Sequence, residues 1–347
     1  MKAAIGVDVG TTETKCCAIV GDTIVYEARQ PTAPLQVLGQ IIYFDPIDVW
    51  NEVVVMLRSA ICEVSHVSHY VISVACQAPS MCAWDGVSFA RGISYLSFYG
   101  DPTLNSQPER WSKACRRLDN LIESVPEYCR VNLSGLTGYL VYQLTGCLTI
   151  DSVTAWEIGI ESRNDERKFW GRVLPHFSPK TYEPLRRLAL DCVQIPQSSR
   201  AIASVLVGTT DSGVLPLSVW PMFQDYYVYL GTWGSLLQSA IRDEEAFGNQ
   251  YWSGMLHNWM ISVPDMAVRC SSDPSILVSF FEKVAMLVPK GKSIALGGGL
   301  VRSFRPMIVE LVNTYLPQTP ILLAPDASTA LSASRLGLIG VTRGRHS

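Results

Sequence analysis

Asp8, Gly10, Thr11, Thr12 and Lys15 fall close together in the run Gly6-Val7-Asp8-Val9-Gly10-Thr11-Thr12-Glu13-Thr14-Lys15. A carboxylate such as Asp8 at the end of a buried strand is well placed to hold a hydrated Mg²⁺. Gly10 lets the backbone come close to an anion, two hydroxyls stand beside it, and Lys15 adds positive charge. The same residue types also build an ordinary tight turn in which an Asp caps its own backbone. Alone, the stretch leaves both readings open.

Three further stretches carry residues of the same kind. Gly208-Thr209-Thr210-Asp211-Ser212-Gly213 sets an acid between glycines, Gly231-Thr232-Trp233-Gly234-Ser235 is a second Gly-Thr turn, and Gly297-Gly298-Gly299 follows a short apolar run. Asp211 also fits as the cap of a helix starting at Ser212.

Strands and helices must position these groups. Lys2–Ile5 and Cys16–Val20 read as the two strands of a hairpin around Gly10-Thr11-Thr12, with Ile24–Tyr26 a third. Asp45-Pro46, followed by Asp48, is a strong helix start, and Trp50, Val53, Val54, Leu57 and Ile61 recur at helical spacing. Tyr70–Cys76 is a buried strand ending at Gln77-Ala78-Pro79. Leu136–Gly146 is a helix closed by glycine, and Glu109–Ile122, Phe169–Phe177 and Tyr182–Leu190 are expected as further helices. Ile202–Val207 enters the Asp211 stretch as a strand. Asp225–Leu230 and Leu236–Ile241 form a hairpin around Gly231, so the second half repeats the logic of the first. Pro274–Val288 is an amphipathic helix. Ser293–Leu296 is a strand entering the glycine triplet, Ser303 caps the helix after it, Pro320–Leu323 is a strand and Ala327–Leu336 a helix. Pro196-Gln197-Ser198-Ser199 is the expected linker.

The totals exclude several classes. At 347 residues, with 48% apolar and 17% charged, the chain is globular and long enough for two domains. A net charge of −3 from 28 basic and 31 acidic residues, without a basic run, argues against nucleic acid. No apolar run reaches bilayer length, and Asp8 interrupts the initial run too early for a signal peptide. The ten cysteines include no Cys-x-x-Cys pair, and the five histidines lack ligand spacing. Adjacent Cys16 and Cys17 point to opposite faces of a strand, so we read the cysteines as reduced and mostly buried, in a cytoplasmic protein.

Asp8–Lys15 resembles the first phosphate loop of the sugar-kinase, heat-shock-chaperone and actin superfold. Its Thr-Thr-x-x-Lys ending is most similar to the FGGY carbohydrate kinases. Asp45-Pro46-x-x-x-Trp50, the helix ending Leu144-Thr145-Gly146 before Thr149-Ile150-Asp151, the Gly-x-x-Asp at Asp211 and the glycine triplet follow in the family's order. The chain resembles a shortened, divergent member. The resemblance implies an α/β fold of two ribonuclease-H-like (actin-like ATPase) domains with mixed sheets flanking a nucleotide cleft, over 1–200 and 201–347. It implies ATP and Mg²⁺ as cofactors and phosphorylation of a hydroxyl on a small sugar or polyol, as in xylulokinase or glycerol kinase. Asp211 would be the general base and, with Asp8, the metal side. Gly10, Thr11, Thr12, Lys15, Gly231 and Thr232 would meet the phosphates, and Gly297, Gly298 and Gly299 the adenosine, with Ser332 where the family has a glycine beside the adenine. Gln77, Ala78, Pro79 and Asp101 would occupy the substrate side, although Ala78 and Pro79 replace the family's polar residues and offer no side-chain hydrogen bond. That loss motivates an alternative, a catalytically reduced relative that binds nucleotide or sugar as a regulator or partner subunit. An acyl-CoA-dehydratase activator of the same superfold would need a cysteine-ligated cluster, for which no cysteine pair stands out. The expected partner is a small molecule, with neither nucleic acid nor membrane, and a homodimer is compatible.

Overall fold

The opening run of small and β-branched residues forms β1 (Ala3–Val9), buried along its whole length. Both its faces are covered, as the apolar run from Ala3 to Val7 requires. Ala3, Ile5, Val7 and Val9 belong to one core cluster and Ala4 to another. The computed structural model describes residues 3–39, 41–64, 66–67, 69–77, 80–86, 89–94, 97, 120–121, 132–151, 154, 182–184, 202–206, 209–210, 214, 217, 222, 224–231, 233–239, 257–263, 266–324 and 329–343.

The chain divides into two compact units, Met1–Val214 with Thr329–Ser347, and Leu215–Ser328. In the first unit follow β2 (Glu13–Val20), β3 (Thr23–Pro31), β4 (Gln36–Leu38), β5 (Ile41–Phe44), α1 (Pro46–Val64) and β6 (His69–Cys76). Next come β7 (Met81–Trp84), β8 (Ala90–Ile93), β9 (Asn132–Gly135), α2 (Leu136–Thr145), β10 (Tyr182–Pro184), β11 (Ile202–Leu206) and β12 (Thr209–Thr210). The main sheet runs β10-β11-β6-β1-β2-β3, with β12 also on β6, and a second, antiparallel sheet runs β4-β5-β8-β7-β9.

The second unit contains β13 (Tyr226–Leu230), β14 (Gly234–Ser239), β15 (His257–Val263), α3 (Met266–Ser272), α4 (Ser275–Leu287), β16 (Ile294–Gly297), α5 (Gly299–Ser303), α6 (Arg305–Tyr315) and β17 (Ile321–Ala324). Its sheet runs β15-β14-β13-β16-β17. Two antiparallel pairings on one side of the founding strand and two parallel pairings on the other repeat the β3-β2-β1-β6-β11 order of the first unit. The duplication expected from the sequence is therefore present in the strand connections of both sheets.

Local signals explain the helix ends. The Ile47 amide donates to Asp45 Oδ1 at 2.8 Å, the cap expected for α1. Gly146 closes α2 in the left-handed conformation (φ 70°), its amide donating to the Tyr142 carbonyl.

Three expectations need correction. Tyr182–Pro184 is an antiparallel edge strand on β11 rather than the start of a helix; an edge tolerates proline. Ser303 does not cap α6, because its hydroxyl turns back to the Gly299 carbonyl and the helix starts after Phe304 without a side-chain cap. The last described helix, α7 (Thr329–Arg343), packs on β1 and β2 of the first unit, as do β11 and β12 on β6. The sequence reading had placed everything after residue 200 in a second domain. The helices expected at 109–122 and 169–177 lie largely or wholly outside the described residues.

Candidate functional site

In the first unit, parallel strands bring the candidate loop to one end of the main sheet. Asp8 pairs with Ala75 and Val9 with Cys76, while Thr209 and Thr210 pair with the same two residues from the far side. The loop Gly10–Thr12, the residue after β6 (Gln77) and the strand leading to Asp211 thus emerge together at carboxyl ends of parallel strands, where open α/β sheets bind ligands.

The loop itself is tightly braced. The Gly10 amide closes the turn on the Glu13 carbonyl at 3.1 Å, and a Cβ on Gly10 would lie 2.8 Å from that same oxygen. Only glycine fits there. Because that amide is already used, the Thr11 and Thr12 amides and hydroxyls are what the turn can offer an anion. Gln77 Nε2 donates to Thr11 Oγ1 at 3.4 Å, joining a residue read as substrate-binding to one read as phosphate-binding. Lys15 Nζ lies 3.9 Å from both Asp8 Oδ2 and Glu13 Oε2. The Asp8 side chain is 6% exposed and that of Lys15 36%, so the carboxylate is held inside the sheet end and the ammonium reaches its rim.

Among the described residues no group of three or more His, Cys, Asp or Glu could ligate a metal. Magnesium bound with a nucleotide needs no such group, since one or two carboxylates, waters and phosphate oxygens complete its shell. Asp8 fits that requirement.

Thr32 is the residue that sequence reasoning missed. Its hydroxyl donates to the Gly10 carbonyl at 2.9 Å, its amide donates to the Thr12 carbonyl at 3.0 Å, and Thr14 Oγ1 lies 3.0 Å from Thr32 Oγ1. The β2–β3 pairing delivers it there, with Glu13 opposite Pro31. No motif marks Thr32; only the length of the third strand could have signalled it.

The second unit repeats the device. The Gly231 amide closes its turn on the Trp233 carbonyl at 2.9 Å. Tyr229 pairs with Gly297, so the Gly231 turn and the glycine triplet leave neighbouring strands at the same end. Gly298 has φ 103° and a Cβ there would lie 2.4 Å from the Leu230 carbonyl oxygen, so backbone geometry demands glycine. Gly299 differs: it is exposed, its φ is ordinary, and a Cβ would meet nothing within 4 Å. The space in front of Gly299 is therefore open. Ser332, by contrast, is buried on α7.

Asp8, Gly10, Thr11, Thr12, Lys15 and Gln77 are thus gathered in one unit, and Gly231, Gly297, Gly298 and Gly299 in the other. Asp211, Thr232, Ala78, Pro79 and Asp101 lie outside the described residues. The described cysteines form no disulfide. Burial pushes the Cys17 thiol up to about 11 and raises the Cys16, Cys76 and Cys82 thiols as well, so none of these is a ready nucleophile. Among the described residues, no helix is long and apolar enough to cross a membrane.

No protein-family model matches the chain, and no curated protein does. Solved structures do. A xylulose kinase from Rhodospirillum rubrum is 14% identical with a TM-score of 0.70, over 97% of this chain and 90% of that one. A gluconate kinase from Lactobacillus acidophilus is 13% identical with a TM-score of 0.70, over 98% and 89%. Plasmodium falciparum glycerol kinase with ADP is 12% identical with a TM-score of 0.68, over 99% and 90%. The chain has the fold of these sugar and glycerol kinases.

Proposed function

We propose that this protein is a Mg²⁺- and ATP-dependent kinase of a hydroxyl on a small sugar or polyol. The observation that carries the reading is the register of β1, β6 and β12, which sets the Gly10 loop, Gln77 and the approach to Asp211 at one sheet end. Gly10, Thr11, Thr12, Lys15, Gly231 and Thr232 contact the phosphates, and Gly297, Gly298 and Gly299 the adenosine. Asp8 would hold Mg²⁺, with Asp211 on the same metal side, and the metal would supply charge neutralisation on the phosphates. Asp211 takes the proton of the accepting hydroxyl, while Thr11, Thr12 and Lys15 offset charge on the transferring group. Gln77 and Asp101 orient the acceptor, and Ala78 and Pro79 belong to the same substrate side without offering it a side-chain hydrogen bond. Buried, reduced thiols suit a cytoplasmic setting.

The test is phosphate transfer from labelled ATP across tetritols, pentuloses, hexuloses, gluconate and glycerol, with Asp211→Asn beside the wild type. Transfer to at least one acceptor, reduced about 10²–10⁴-fold in the variant, is expected. The apolar Ala78-Pro79 pair favours one second reading, a relative that binds nucleotide without turnover. Bound nucleotide with no transfer to any acceptor would select it.

A further inference from the structure

Thr32 stands just past the end of β3, the edge strand of the main sheet, with Pro31 before it and Pro34 shortly after. Each proline fixes its own φ and restricts the residue before it, so the segment has few conformations to lose. Ala33 is buried in the core cluster that contains Ile5, Val7 and Val9, and Leu35 packs against that cluster. The segment is therefore anchored, and what Thr32 reaches from it is backbone. Its hydroxyl donates to the Gly10 carbonyl at 2.9 Å and its amide to the Thr12 carbonyl at 3.0 Å. The fully buried Thr14 sets its hydroxyl 3.0 Å from that of Thr32. One residue thus grips two peptide groups of the loop.

A turn that binds an anion must show it N–H groups and keep carbonyl oxygens away from it. A planar trans peptide sets its C=O and N–H on opposite edges. Drawing the Gly10 carbonyl onto the Thr32 hydroxyl therefore aims the Thr11 N–H away from Thr32. The Thr12 carbonyl is occupied by the Thr32 amide, and the Glu13 carbonyl by the Gly10 amide. Three carbonyl oxygens of the turn are held by protein donors, two of them by Thr32.

We infer that Thr32 is a positioning residue for phosphate binding at the Gly10–Thr12 loop, acting through its hydroxyl on the Gly10–Thr11 peptide. The contact with the anion belongs to Thr11; Thr32 sets its direction. Without the hydroxyl, the Gly10 carbonyl loses its side-chain donor and that peptide gains freedom to turn its oxygen toward the ligand. Calling the loop a phosphate site rests on the proposed function; the grip of Thr32 on its backbone does not.

Calorimetry on the full chain, with Mg·ATP and with Mg·tripolyphosphate, reads this role. Tripolyphosphate carries the phosphates without the nucleoside. Thr32→Val exchanges the hydroxyl for a methyl group and keeps the amide bond to Thr12. It is expected to weaken both probes by the same factor, roughly three- to tenfold. Thr32→Ser, which keeps the hydroxyl, is expected to bind like the wild type. A purely structural role would lower the melting temperature and leave the affinity of the folded protein unchanged. Should Thr32→Val not fold, Thr32→Ala is read in the same way. Wild-type affinity in the folded hydroxyl-free variant, a loss for Mg·ATP with none for Mg·tripolyphosphate, or Thr32→Ser as weak as Thr32→Val overturns the inference and leaves the kinase reading standing. A wild type that binds neither probe defeats the kinase reading, and the role of Thr32 falls with it.

Discussion

Gly298 and Gly299 are adjacent, yet glycine is there for different reasons. At Gly298 the backbone conformation and the Leu230 carbonyl exclude a side chain. Gly298→Ala is expected to lower stability by roughly 2–4 kcal/mol in denaturant unfolding. At Gly299 the protein leaves open space, so Gly299→Ala should change stability by less than about 0.5 kcal/mol. Any effect it has on ATP binding then reports the ligand and not the fold. The thiols separate as cleanly. Cys62 is exposed, whereas Cys16, Cys17, Cys76 and Cys82 are buried and their thiolates disfavoured. Iodoacetamide followed by peptide mass mapping should label Cys62 in the native protein and those four only after unfolding. Labelling of Cys16 or Cys17 in the native state would contradict the packing of β2.

Helix α7 covers the second face of the main sheet at unusually short range. A Cβ on Gly6 would lie 2.0 Å from the Ala330 carbonyl oxygen and 2.4 Å from the Ser334 amide nitrogen. Ser334 Oγ also donates to the Cys17 carbonyl at 2.8 Å. Gly6→Ala must push the helix off the strand and should cost about 3 kcal/mol or more; a melting temperature like the wild type's would refute this docking. In the second unit, Asp225 pins the start of β13 to β16. It accepts from the Ser293 amide and hydroxyl, each at 3.0 Å, and from Lys292 Nζ at 3.1 Å. The Ser293 amide first, then Lys292, holds the Asp225 pKa below its usual 3.8. A depressed acid contributes stability above its unfolded pKa and loses it as pH falls through the folded one. Asp225→Ala is therefore expected to cost about 1 kcal/mol at neutral pH, discounted for partial exposure. The gap to wild type should close in unfolding curves taken as pH drops below about 4.

Across the molecule, what the sequence revealed was local, and what it hid was distant. Gly-Thr turns, the Asp45 cap and the Gly146 stop each depend on neighbours a few residues away. The duplicated hairpins followed from repetition of those signals. Parallel pairing of β11 and β12 with β6 left no local trace, which is why residues 202–210 read as the start of a second domain. An amphipathic helix such as α7 shows that it has a buried face, not which sheet covers it. Thr32 reaches the loop only through strand register. The residue types of the Gly10 loop and Gln77 stand out in the sequence because they are chemically specific, whereas the Gly298–Gly299 distinction requires coordinates.

The central claim is that the protein binds Mg·ATP and that Lys15 and Gly299 both contribute to the binding. Titration of Mg·ATP by calorimetry into the wild type, Lys15→Ala of the first unit and Gly299→Ala of the second tests it most directly. The account predicts binding by the wild type, weakened roughly tenfold or more in each variant. No binding by the wild type, or unchanged affinity in either variant, would contradict it.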